Sequence, residues 1–146
     1  MKKITKAEQE RIESSPIAEK IDYFLKEAVA NKYTITVRND ESVLSFYENT
    51  GLPCIPFWPH ASFTKEIIES EWKDCYPTAI RLSSFISHWL PGMEKDGVQI
   101  ALYAKPNEEI VLMNPGDLRK KLEFLKLPSC CQKTQNSKIN LFGGME

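Results

Sequence analysis

Val98-Gln99-Ile100-Ala101-Leu102-Tyr103 and Ile110-Val111-Leu112-Met113 are two apolar, β-branched runs, and the polar stretch Pro106-Asn107-Glu108-Glu109 lies between them. Runs of this composition on either side of a polar turn read as a β-hairpin. A hairpin commits its strands to antiparallel pairing. Upstream, Tyr33-Thr34-Ile35-Thr36-Val37 and Val43-Leu44-Ser45-Phe46-Tyr47 repeat the arrangement across the four-residue turn Arg38-Asn39-Asp40-Glu41. Thr78-Ala79-Ile80-Arg81-Leu82 adds a short strand. Leu52 to Pro59 is apolar but carries Pro53, Pro56 and Pro59, which supply no ladder donors, so it reads as an edge strand or extended rim segment.

Helices fill the gaps. Thr5-Lys6-Ala7-Glu8 has the form of a capping box and opens a short helix to about Glu13. Ser15-Pro16 restarts the pattern, and Ile17, Ile21, Phe24, Leu25 and Ala28 recur at helical spacing to an end near Asn31, a tolerated left-handed cap. Ser62 or Thr64 caps a helix through about Asp74 with Ile68, Trp72 and Cys75 inward, and Pro77 closes that region. Ser83 caps another with the stripe Phe85, Ile86, Trp89 and Leu90, terminated by Pro91-Gly92. Asn114-Pro115-Gly116-Asp117 leads into a last helix with Leu118, Leu122, Phe124 and Leu125. The expected fold is α+β: a mostly antiparallel sheet built from two hairpins plus short strands, covered by about four helices.

The bulk numbers agree with one globular unit. The chain has 146 residues, 42% apolar and 27% charged, with seven Phe, five Tyr and three Trp for a core. Residues 1–127 are expected to form a single α+β domain and 128–146 a flexible polar tail. The N-terminus, Met1-Lys2-Lys3-Ile4, has no apolar region behind its charges, and no run approaches a membrane span, so a cytoplasmic protein is expected, with no membrane partner and its four cysteines as thiols. Net charge is −1. Residues 115–146 hold six basic and three acidic side chains, a balance of +3 that leaves −4 elsewhere.

From Pro53 to Leu122 the chain resembles a bacterial family of short proteins, domain-of-unknown-function family 2750. The pieces that carry the resemblance are Pro56-Phe57-Trp58-Pro59-His60, Glu71-Trp72-Lys73-Asp74-Cys75, Phe85, Trp89-Leu90-Pro91-Gly92-Met93, Asp96-Gly97 and Asn114-Pro115. The helix at Ile17 to Ala28 matches more loosely. The first strand departs from the pattern, with Thr34-Ile35-Thr36 where members tend to place a Trp. The resemblance implies a small bacterial cytosolic α+β protein and brings no catalytic residue or cofactor with it.

Few residues point to chemistry. Trp58-Pro59-His60 sets an imidazole beside an indole just before a helix start, where a ring nitrogen can meet a ligand or move a proton. Against this stands the plainer reading, in which Trp58 fills core and His60 makes a local bond. Cys54, Cys75, His60 and His88 lack the paired close spacing of a structural zinc site, so no metal or other cofactor is expected. A small enzyme would use His60 with Cys75 or Cys54 as its nucleophile, but Cys75 falls on an inner helix face. Arg119-Lys120-Lys121 and Lys126 form a basic patch with only Phe124 interleaved, and nucleic acid is not the expected partner. Trp58, Trp72 and Trp89 either pack in the core or line a binding groove, where Trp is enriched. The leading expectation is a non-enzymatic accessory module that binds a protein or small ligand through Trp58, His60, Trp72 and Trp89. A homodimer fits the same features, and a regulatory or immunity-type partner is the analogy. The Cys/His enzyme and a weak nucleic-acid binder are the alternatives.

Overall fold

The computed structural model describes residues 3–47, 51–106 and 110–126. In chain order its elements are α1 (Lys6–Glu13), α2 (Ile17–Asn31), β1 (Tyr33–Arg38), β2 (Phe46–Tyr47) and β3 (Pro53–Phe57). A 3-10 turn (Ala61–Thr64) then enters α3 (Lys65–Ser70), followed by β4 (Tyr76–Arg81), α4 (82–96), β5 (Gln99–Leu102), β6 (Val111–Met113) and α5 (Pro115–Leu125). The class is α+β. The expected tail, 128–146, lies outside the described residues.

Local chemistry sets the helix ends. The Thr5 hydroxyl accepts the Glu8 amide at 3.1 Å and caps α1. Pro16 is the N-cap of α2, which buries Phe24, Leu25 and Ala28. The left-handed cap of α2 falls one residue past Asn31, on Lys32 at φ 66°, whose amide donates to the Ala28 carbonyl. Asn114 caps α5 by accepting the Gly116 and Asp117 amides at 2.8 and 3.2 Å.

The strands form a two-stranded sheet, β1–β4, and a four-stranded sheet in the order β2-β3-β5-β6. Three of the four pairings are antiparallel, and β3–β5 is parallel with Cys54 opposite Gln99 and Phe57 opposite Leu102. A parallel pair needs a long crossover; here it holds α3, β4 and α4. The two sheets are stitched where Ile35 and Trp58 exchange backbone hydrogen bonds of 3.0 and 2.8 Å.

Four finer expectations are corrected. The expected edge segment 52–59 supplies an interior strand, β3. Its prolines fit because a residue's N and C=O face the same side of a strand. The Pro56 carbonyl accepts the Thr36 hydroxyl at 2.7 Å, so the missing Pro56 N–H faces a side chain, and the flanking amides serve β5. The first hairpin exists only at its tip, through an Arg38–Val43 bridge and a Leu44 amide donating to Val37. Beyond that tip β1 pairs with β4, while Phe46 turns away to pair with Cys54 and pack on Trp72. The helix expected to reach Asp74 stops at Ser70, and Pro77 stands inside the edge strand β4.

The helix expected to end at Pro91-Gly92 instead continues to Asp96. Proline has no amide and its ring presses on the carbonyl four residues back, here Ser87. The chain accommodates it with a π turn, Phe85–Trp89, in which the Leu90 amide reaches the Phe85 carbonyl. Gly97 at φ 74° ends α4, and the Val98 amide donates back to Met93. One hydrophobic cluster joins α1, α2, the sheets, α4 and α5, with Phe24, Ile35, Phe57, Trp58, Phe85, Leu90, Ile100, Leu118 and Leu122 fully buried.

Candidate functional site

His60 follows β3 in an extended conformation, and its carbonyl accepts the Phe63 amide that starts the 3-10 turn. That places its ring inward, 1% exposed, with Nε2 2.7 Å from Oε1 of Glu27 on α2. A carboxylate is an acceptor only, so Nε2 carries the proton in this contact. Phe63 stacks on the ring at 18°, with centroids 6.2 Å apart. Tyr23 meets the ring edge-on at 6.0 Å.

Further polar links surround this pair. The Tyr23 hydroxyl donates to Glu8 at 2.5 Å and the Tyr103 hydroxyl to the Lys20 carbonyl at 2.8 Å. Burial, reinforced by the Glu8 hydrogen bond and the charge of Glu27, raises the Tyr23 hydroxyl above the ordinary phenol pKa. Burial does the same to Tyr103, with smaller additions from Tyr23 and Glu27. Both phenols therefore hold their protons at neutral pH. Tyr103 also adopts φ 60°, an uncommon backbone state for a non-glycine residue. Lys105 lies 3.5 Å from Glu13 and 3.9 Å from Glu66. The network ties α1 to α2, the 3-10 turn and the segment after β5.

The four residues singled out in the sequence occupy different settings. Trp58 is fully buried, and its Nε1 donates to the Ala104 carbonyl at 3.1 Å. Half-buried Trp72 packs on Trp58 and on Phe46, with ring centroids 6.5 and 5.6 Å away. Trp89 joins a second ring group, edge-on to Phe57 at 6.1 Å, with Phe85 on Phe57 at 4.9 Å. His60 neighbours Trp58 in the chain but is aimed at α2.

The cysteines sit elsewhere. Cys54 is buried in β3 with Sγ 3.6 Å from the Leu52 carbonyl. Burial, and then the charge of Asp74, pushes the Cys75 thiol up, which disfavours the nucleophilic thiolate. His88 is exposed, its Nδ1 2.9 Å from the Ser87 hydroxyl. Among the described residues no cluster of three His, Cys, Asp or Glu side chains is placed to hold a metal ion. No described helix is long and apolar enough to cross a membrane.

A feature absent from the sequence reading is a groove of about 560 Å³ where the end of α2, the start of α4 and the end of α5 meet. Val29, Leu82 and Leu125 supply its apolar part. Its three charged lining residues, Lys32, Arg81 and Lys126, are all basic and exposed, and Ser83 completes the wall. These residues come from three distant stretches, so no local motif announces them. The Leu82 amide donates to the Lys32 carbonyl at 2.9 Å, which fixes the α2 end against the start of α4.

The family model described as "Protein of unknown function (DUF2750)" matches residues 21–122. No curated protein matches the chain.

Proposed function

The chain belongs to the DUF2750 family of proteins of unknown function, and from that premise we propose that it is a binding module, an accessory protein of a bacterial cytosol rather than a catalyst. The observation that carries this reading is the position of His60. It is 1% exposed and held by Glu27 at 2.7 Å between Phe63 and Tyr23. That arrangement joins α2 to the turn after β3. The state of the Cys75 thiol, raised by burial, supports the same reading. The surface groove beside α2, α4 and α5 offers a partner a concave face, which the buried imidazole does not. The bacterial cytosol is the setting that the sequence resemblance implies.

The test is a thermal-shift screen of metabolites followed by recovery of each stabilising compound after prolonged incubation. The expected result is saturable stabilisation with the compound recovered unchanged. Conversion of a bound compound that disappears in His60→Gln or Cys75→Ser would overturn the reading.

A further inference from the structure

The groove between α2, α4 and α5 has a definite chemical character. Its lining is aliphatic at Val29, Leu82 and Leu125, and its charges are of one sign at Lys32, Arg81 and Lys126. The chain as a whole carries −1, so this concentration of positive charge runs against the average. The Arg81 guanidinium is a planar fork suited to two-point contact with a phosphate or carboxylate. Lysine ammoniums act as point charges beside it. Three cations match a phosphate monoester, which carries about −1.5 to −2 at neutral pH, better than a single carboxylate. The Ser83 hydroxyl lines the same wall and supplies a further donor. The 560 Å³ volume falls within the range of small-molecule sites, roughly 300–1,000 Å³.

Resting on the binding-module reading, we propose that this groove binds a small amphiphilic phosphate monoester. Its head group meets Arg81, Lys32 and Lys126, and its short apolar body lies on Val29, Leu82 and Leu125. Lys32 is the informative position. It holds a left-handed backbone at φ 66°, which asparagine adopts more readily than lysine. Lys32→Asn therefore removes a rim charge while keeping the turn.

The test is calorimetric titration of the full chain with hexyl phosphate at low salt, with inorganic phosphate and hexanol as separate arms. Hexyl phosphate is expected to bind saturably at one site, at least tenfold more tightly than either arm. Arg81→Gln should weaken it about tenfold and Lys32→Asn about fivefold, with the melting temperature of Lys32→Asn unchanged or higher. Absence of saturable hexyl phosphate binding would overturn the proposal. So would equal affinity for inorganic phosphate, or full affinity in the Arg81→Gln, Lys32→Asn double variant. Release of hexanol from bound hexyl phosphate would instead count against the binding-module reading and leave the groove assignment standing.

Discussion

The His60 cluster and the α2–α4–α5 groove both concentrate charged side chains, but they do so in opposite ways. Around His60 the polar groups meet one another: the imidazole Nε2–H with Glu27, and Lys105 with Glu13 and Glu66. In the groove the charged lining residues are all basic and exposed. The first arrangement joins elements of the chain. The second gathers positive charge on one exposed face. The contrast separates polar residues that join elements of the fold from same-sign charges that converge on the surface from separate elements.

The largest expected effect breaks the first region. Glu27→Ala removes the acceptor from an almost fully buried imidazole and should cost about 2–3 kcal/mol, read from urea unfolding. A loss below about 0.5 kcal/mol would mean the pair contributes little to folding. Next comes Tyr103→Phe, which removes the side-chain hydrogen bond to the part-buried Lys20 carbonyl and should cost about 1 kcal/mol by the same measurement.

The two phenols also give a pH dependence with a defined sign. Tyr23 and Tyr103 have folded-state pKa values raised above the ordinary 10.0. The unfolded chain therefore releases these protons first as pH rises. Their contribution is complete below pH 10.0 and is lost as the pH climbs through the raised folded values. Melting temperature should fall above that pH, and Tyr103→Phe should flatten the fall. The smallest effect sharpens the second region: Lys32→Asn should raise stability by a few tenths of a kcal/mol by relieving the left-handed backbone, up to about 1 kcal/mol. A loss of stability there would show that the Lys32 side chain contributes to folding as the His60 cluster does.

The parts of the fold written in short-range patterns were legible in the sequence. Thr5 is a side-chain cap read locally, and it accepts the Glu8 amide that its position implies. The stripe Phe24, Leu25 and Ala28 and the hairpin β5–β6 follow from periodicity alone. Errors arose where a distant element changes what a proline means. Pro56 looked like an edge marker because its neighbour on that side, the Thr36 hydroxyl, comes from β1. Pro91 looked like a terminator because a π turn is not visible in composition. For the site, the sequence drew attention to His60 but gave no sign of Glu27, thirty-three positions away and on a helix face that reads as ordinary charge. Lys32, Arg81 and Lys126 each sit at the end of an element, where a basic residue is commonplace, and only the packing of α2 against α4 and α5 gathers them.

His60 and Glu27, 2.7 Å apart, form a structural pair. A double-mutant cycle of His60→Ala and Glu27→Ala, followed by equilibrium urea unfolding, tests it most directly. A coupling of at least about 1 kcal/mol is expected, with the double variant more stable than additivity allows. Strictly additive losses would contradict it.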